Sequence, residues 1–322
     1  VVFVPEELNQ ANPCIRVDAV KKAYRGRKQP VLDGISFSVM PGETVGIVGP
    51  NGAGKTTLML CLLGLQRPDS GTVRILNRKP DDIDVRRFIG YLPERLNFEA
   101  WLSGREFLTY HWQLAKCPPQ SQNSEIEIRL SRSGLPQESW DRPVRTYSRG
   151  MLQRLGMAQA LIRSPQILFL DEPTSGVDPY GAMEILDIIR ALKKEGRTVL
   201  INSHQLDHLE RVCDRVILVR NGTATSMEDL HLDRNANYAL QVRWSNQTSN
   251  GAHPDLIKLA DSCGARLLWR NGNQAKFEVR GDEGSTNLLE TLLNAGFKVC
   301  TARPDSRLES LFKYEGEASN SD

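Results

Sequence analysis

Apolar residues follow different rhythms in different parts of the chain. Between residues 14 and 48, Ile15 and Val17 alternate with polar neighbours, and "ISFSV" and "TVGIVG" follow; this is the two-residue period of strands. A glycine-rich loop then feeds a helix over about 55–64, and "GTVRIL" (71–76) returns to strand. Residues 103–163 read as mainly helical. Ser103 and Glu106 form a capping box that opens the helix containing Trp112, and the polar run "CPPQSQNS" (117–124) is a break. Met151, Leu155, Ala158 and Ile162 recur on one helical face until Pro165 ends the pattern. "ILFLDE" (167–172) and "TVLIN" (198–202) are short continuous apolar runs, the mark of strands buried on both faces. Between them Asp178 and Pro179 cap a helix running to Gly196. Strands alternating with helices predict an α/β fold with a largely parallel sheet.

Composition shifts at about 221–237, through an Asn-Gly turn and a polar stretch, which places a linker at 227–237. Beyond it the pattern predicts a strand at 238–244, with Tyr238, Leu240, Val242 and Trp244 on one face. A helix (254–262), two strands (266–270 and 275–280) around an Asn271-Gly272 turn, a helix (285–295) and a strand (297–302) follow. That β-α-β-β-α-β order is ferredoxin-like and defines a small α+β domain over 238–314. A last helix, about 306–314, precedes a polar tail at 315–322. The two halves show no internal repeat.

Charge adds little. Of 322 residues, 25% are charged and the net charge is +2, so no acidic partner is demanded and no nucleic acid is expected. The densest basic run, Lys21, Lys22, Arg25, Arg27 and Lys28, reads as a solvated hairpin, with a binding role as the other reading. The six cysteines include no Cys-x-x-Cys pair and have no nearby His at metal spacing; they read as reduced, buried thiols of a cytosolic protein. The longest apolar run, Leu58 to Leu65, is far short of the ~18–20 residues that span a bilayer. Pro5, Glu6 and Glu7 cut off the initial VVFV, so it does not read as a signal peptide. The chain lacks an initiator Met, and its numbered start need not be the start of the gene. A role at a membrane would require a separate membrane chain.

Chemistry concentrates in a few stretches. "GPNGAGKTT" (49–57) fits G-x-x-x-x-G-K-[ST] after a strand and before a helix. Gly52 and Gly54 allow the backbone to turn N–H groups around phosphate oxygens. Lys55 adds a charge for β- and γ-phosphates, and Thr56 offers a hydroxyl to Mg²⁺. Asp171 ends a buried strand, as water-mediated Mg²⁺ binding requires, and Glu172 beside it can orient or deprotonate an attacking water. Taken alone, two acids there would sooner be read as helix caps. His204 follows the next buried strand, where a lone histidine could also be structural, and Glu94 in "GYLPE" follows a short one. "YSRGMLQR" (147–154) sets Ser148 and Gly150 at a helix start, a second anion site.

In this order the pieces resemble the ATP-binding subunit of an ABC transporter over residues 14–226. The resemblance implies a P-loop ABC ATPase cassette with a β-rich subdomain, a parallel-sheet core and a helical subdomain at about 95–163. It implies that Gly49, Pro50, Asn51, Gly52, Ala53, Gly54, Lys55, Thr56 and Thr57 hold ATP, with Mg²⁺ at Thr56, Glu94 and Asp171. Glu172 would be the catalytic base, His204 the switch histidine and Tyr24 the aromatic that stacks on adenine; a strand-surface aromatic is the other reading of Tyr24. "YSRGMLQR" corresponds to the family's signature, usually LSGGQ. Through Ser148 and Gly150 it would meet ATP held by a second subunit in a head-to-tail homodimer, with Asp178 at the contact. Two departures are Glu94, where many members have Gln, and Arg149, which would bring a positive group near the partner's nucleotide. "GYLPE", "GMxQR" and the C-terminal appendage are similar to the bacterial exporter group. That group pairs soluble ATPases with six-helix permeases at the cytoplasmic face of the inner membrane. The alternative is a non-transport ABC ATPase acting on nucleic acid or ribosomes. Against it stand the single cassette, the absence of long heptad arms in the about 90 residues between Thr57 and Ser148, and the lack of paired aromatics in "AKFEVR".

Overall fold

The computed structural model describes residues 12–27, 29–227, 237–245 and 255–304, in two units that divide between Glu228 and Asp229. In the first unit the early strands go to two different sheets. Strands β1 (Ile15–Lys22) and β2 (Leu32–Val39) form an antiparallel pair, whereas β3 (Thr44–Val48), buried at every position, enters the core sheet. Helix α1 (Lys55–Leu62) follows the glycine loop, and β4 (Ser70–Ile75) returns to β1, giving the order β2-β1-β4.

A short helix α2 (Ile83–Arg86) and strand β5 (Ile89–Leu92) lead to the helical segment, α3 (Gly104–Leu114), α4 (Gln122–Arg132) and α5 (Arg149–Ala160). The capping box is present: the Ser103 backbone N–H donates to Glu106 Oε2 (2.8 Å), and Glu106 N–H donates to Ser103 Oγ (3.2 Å). Phe107, Leu108 and Trp112 of α3 pack on Ile126 and Leu130 of α4 and on Leu155 and Ala158 of α5. The polar break is shorter than expected, because a 3₁₀ turn at Pro119–Ser121 passes directly into α4 at Gln122. Helix α5 likewise stops at Ala160, although Ile162 beyond it stays buried.

The remaining elements alternate: β6 (Ile167–Asp171), α6 (Pro179–Lys194), β7 (Thr198–Asn202), α7 (Leu206–Val212), β8 (Arg215–Arg220) and β9 (Thr223–Met227). The core sheet has the order β5-β6-β7-β3-β8-β9, parallel from β5 to β8 and antiparallel at β9. Ile47, Ile167, Phe169, Leu200 and Ile217 fill one face together with Leu58, Met59 and Leu62 of α1. Each such side chain contributes about 1.5–3 kcal/mol by leaving water. Because the strands are parallel, the segments after β3, β5, β6 and β7 all emerge at the same edge, where open α/β sheets place their ligands. The Asn221-Gly222 turn is not a domain boundary. With φ of 50° and 79° it closes the β8–β9 hairpin, which adds the antiparallel edge strand.

The second unit contains β10 (Asn237–Trp244), α8 (Leu256–Ser262), β11 (Arg266–Asn271), β12 (Gln274–Arg280), α9 (Gly281–Asn294) and β13 (Val299–Pro304). Its sheet is fully antiparallel in the order β11-β12-β10-β13, which completes the ferredoxin-like arrangement. Tyr238, Leu240, Val242 and Trp244 are buried, as their alternation predicts, against Leu256, Ala260, Leu288 and Leu292. Helix α9 starts at Gly281 rather than 285. Strands β9 and β10 take the two ends of the expected linker; its interior, the expected helix at 306–314 and the tail at 315–322 lie outside the described residues. Among the described residues no helix is long and apolar enough to cross a membrane. Cys14, Cys61 and Cys213 are buried thiols, but Cys117 and Cys263 are half-buried and Cys300 is exposed.

Candidate functional site

The glycine loop turns between β3 and α1 at the carboxyl edge of the sheet. Gly54 has φ 104°, and a Cβ there would stand 2.7 Å from the Val31 carbonyl oxygen, so the position admits glycine alone. Helix α1 starts without a side-chain cap; its first N–H groups have no intrahelical acceptor, and its dipole favours an anion. Lys55 is buried, and its Nζ donates to the carbonyls of Gly49 (2.7 Å) and Pro50 (3.2 Å). Burial pulls its ammonium below the usual lysine range, with Glu172 and Asp171 opposing. Neutral carbonyls are weak partners for this cation, and phosphate oxygens are stronger ones.

The loop opens into a cavity of about 620 Å³, a size that suits a nucleotide. Asn51, Gly52, Gly54, Lys55, Thr56 and Thr57 line it together with Glu94, Glu172 and His204. Tyr24, partly exposed, also lines it, with Lys22 Nζ 6.0 Å from its ring centre. Four lining residues were not anticipated: Arg27, Val31, Ser175 and Asn202. Arg27 belongs to the basic run read as a solvated hairpin, and that reading holds only in part. Lys21 pairs with Asp33 and Lys22 with Asp69 on the surface, while Arg27 faces the cavity and Lys28 lies outside the described residues. The signal for Asn202 was a polar residue ending the buried run "TVLIN" at the sheet's carboxyl edge.

Strand β6 delivers Asp171 and Glu172, both buried. Glu172 has φ 48°, a left-handed conformation that costs a non-glycine residue about 1–2 kcal/mol, and its N–H donates to the Asn202 carbonyl (2.8 Å). This kink sends the two carboxylates to different partners. Asp171 Oδ1 accepts from Asn202 Nδ2 at 2.6 Å. Glu172 Oε1 accepts from the His204 backbone N–H (3.1 Å) and from Nδ1 (2.8 Å), and Oε2 accepts from Ser203 Oγ (3.3 Å). A carboxylate can only accept, so the His204 proton sits on Nδ1. Burial pushes the Asp171 carboxyl above the usual carboxylate range; Asn202 opposes this, and the charges of Glu94 and Glu172 add to it. Burial, Asp171 and Glu94 also push the Tyr91 hydroxyl up to about 12. Asp171 and Glu94 thus lie close enough for their charges to act on each other and on Tyr91.

Ser148, Gly150 and Asp178 lie outside this cavity. Ser148 caps α5, its Oγ accepting from Met151 N–H (3.3 Å), and it is exposed. Asp178 caps α6, accepting from Tyr180 and Gly181 N–H (3.1 and 3.0 Å); the Gly181 bond leads in holding its carboxyl below the usual range. The guanidinium of Arg149 covers Gly176 of its own chain, and its Nε donates to the Ser175 carbonyl (3.2 Å). Tyr147 is a core residue of the helical segment, its hydroxyl donating to the Ser139 carbonyl (2.7 Å).

A family model described as ABC transporter matches residues 32–175. The uncharacterized ABC transporter ATP-binding protein YxlF of Bacillus subtilis (strain 168) is 35% identical over 301 residues, covering 92% of this chain and 96% of its own. The Nod factor export ATP-binding protein I of Ralstonia nicotianae is 35% identical over 214 residues, 66% of each chain. Among solved structures, cbiO1 of Clostridium perfringens, part of the ABC transporter complex cbiONQ, shares the fold with a TM-score of 0.61 at 26% identity, over 68% of this chain and 89% of its own. The fold and its phosphate loop define a nucleotide-hydrolysing cassette. The chain belongs to the ABC transporter ATP-binding proteins, the ATP-hydrolysing subunits of these transporters.

Proposed function

We propose that the cavity binds Mg-ATP through the glycine loop and hydrolyses it with Glu172, one site of a homodimer that drives a separate membrane permease. The observation that carries this reading is that Lys55 and the Glu172–His204 pair (2.8 Å) line one cavity. Lys55 turns from the Gly49 and Pro50 carbonyls to the β- and γ-phosphates, and Tyr24 offers its ring to the base. Gly49 to Thr57 wrap the phosphates. Thr56, Asp171 and Glu94 are the residues that would hold Mg²⁺, which when bound offsets phosphate charge. Among the described residues no three His, Cys, Asp or Glu side chains could hold a metal alone, so such an ion would need further oxygens from nucleotide or water. Glu172 accepts a proton from the attacking water, and His204 keeps that carboxylate oriented.

Ser148, Gly150 and Asp178 do not line their own chain's cavity and serve the nucleotide of the opposite subunit. The permease places the assembly at the cytoplasmic face of the cell membrane, and the likeness to a Nod factor export protein supports outward transport. The division at 228/229 supports an accessory role for the C-terminal domain. The test is Lys55→Ala, which should abolish nucleotide binding measured with a fluorescent ATP analogue. Wild-type affinity in that variant would refute the assignment.

A further inference from the structure

We propose that Asn202 is a positioning residue for the divalent cation: its amide nitrogen fixes Asp171, and its amide oxygen receives a water of the cation's shell. The inference rests on the Mg-ATP reading above. Asn202 is the last residue of β7 and is in register with Asp171, the last residue of β6. Registered neighbours on adjacent strands project to the same face, so both side chains meet at the carboxyl edge of the sheet. Asn202 is 3% exposed, and its Nδ2 donates to Asp171 Oδ1 at 2.6 Å. Because a carboxylate only accepts, this contact assigns the amide orientation and turns Oδ1 away from Asp171.

That Oδ1 is buried and has no hydrogen-bond partner among the described residues, although Asn202 lines the same cavity as Thr56 and Glu94. A buried acceptor left without a donor is costly, so the atom marks a place that a bound group satisfies. The chemistry narrows what that group is. Phosphate oxygens are acceptors and cannot bond to another acceptor. A base in the reading above stacks on Tyr24. A water can supply the donor that an amide oxygen needs, and beside Asp171 a water held by the cation is the one whose place is fixed.

The donor to Asp171 is as telling. An arginine or lysine there would also orient the carboxylate, but it would cancel the charge the cation requires. A neutral amide orients Asp171 and leaves its charge intact. Partners of this kind behind a metal ligand are worth about 10–100-fold in metal affinity.

The test uses the full chain, with Mn²⁺ in place of Mg²⁺ and electron paramagnetic resonance to measure Mn²⁺ bound in the presence of ATP. Asn202→Leu keeps the volume and removes both amide functions. Its Mn²⁺ affinity should fall by about 10-fold or more. Binding of fluorescent ATP in EDTA should stay within about twofold of wild type, since no phosphate contact is lost. Unchanged Mn²⁺ affinity would overturn the proposal. If Asn202→Leu no longer binds ATP in EDTA, the loop has been disturbed and Asn202→Ser decides. Its hydroxyl both donates and accepts but is shorter, so an affinity between those of wild type and a tenfold loss supports the proposal, and full affinity overturns it. A wild-type chain that binds ATP but never Mn²⁺ would overturn the Mg-ATP reading itself, and this inference with it.

Discussion

Glu172 occupies a backbone region that side chains other than glycine avoid, and it is held there by the 2.8 Å bond from its N–H to Asn202. The strain has a use, because a regular extension of β6 would send Glu172 to the opposite face from Asp171. The kink instead brings it to Ser203 and His204, on the wall of the cavity. Glu172→Gln keeps the shape and removes the base. The variant should bind ATP as wild type does and release phosphate at least ~10²-fold more slowly, because a general base contributes about 10²–10⁴. Phosphate release at the wild-type rate would require another base. Of these details only the pair of acids was legible in "ILFLDE". The positive φ was not, since it arises from β7 lying alongside β6.

Helix α7 is the element that braces this wall from behind. Thr174 donates to Gln205 Oε1 (3.2 Å) and lies 3.0 Å from His208 Nδ1, tying the segment after Glu172 to α7. Burial holds His208 below its usual pKa of 6.5; Arg211 and His204 add to this and Asp207 opposes it. Below 6.5 the unfolded chain therefore takes up a proton that the folded chain resists. The stability tied to His208 is complete above 6.5 and is lost as pH falls. His208→Gln should flatten the fall in Tm between about pH 7.5 and about pH 5, as followed by circular dichroism. Some slope remains, because burial also lowers the pKa of His111 in α3. Identical pH slopes in wild type and variant would exclude His208 as a source. No periodicity announced this brace: α7 is too short for its pattern to stand out, and its contacts come from distant parts of the chain.

At the scale of the whole molecule, the two elements proposed to act on ATP do not meet within one chain. Lys55 and Glu172 share one cavity, while Ser148 begins α5 outside it. Hydrolysis should then require two chains, and mixing variants shows whether it does. Ser148→Arg fills the signature end with bulk and charge, and Lys55→Ala disables the loop, so each variant alone should be inactive. A mixed dimer joins one doubly damaged site with one intact site, and ATPase activity should return at intermediate mixing ratios. If mixed dimers form and no ratio restores activity, a single sound site does not suffice. Normal hydrolysis by monomeric Ser148→Arg would remove the role assigned to that helix start.

By itself the sequence determined what depends on neighbours along the chain. The glycine loop, the capping box at Ser103, the buried runs of β6 and β7 and the β-α-β-β-α-β order all rest on local conformation and periodic burial. These are properties of a few consecutive residues. Tertiary structure alone decided that β3 leaves its apparent partners β1 and β2 for the parallel sheet. It also made Asn221-Gly222 a hairpin within the first unit, brought Arg27 to the cavity and folded Arg149 onto Ser175. The reason is that strand pairing, burial of charge and the facing of Asp171 with Asn202 are contacts between segments far apart in sequence. Such contacts are chosen by which surfaces can close together once the chain is compact, and no local pattern records that choice.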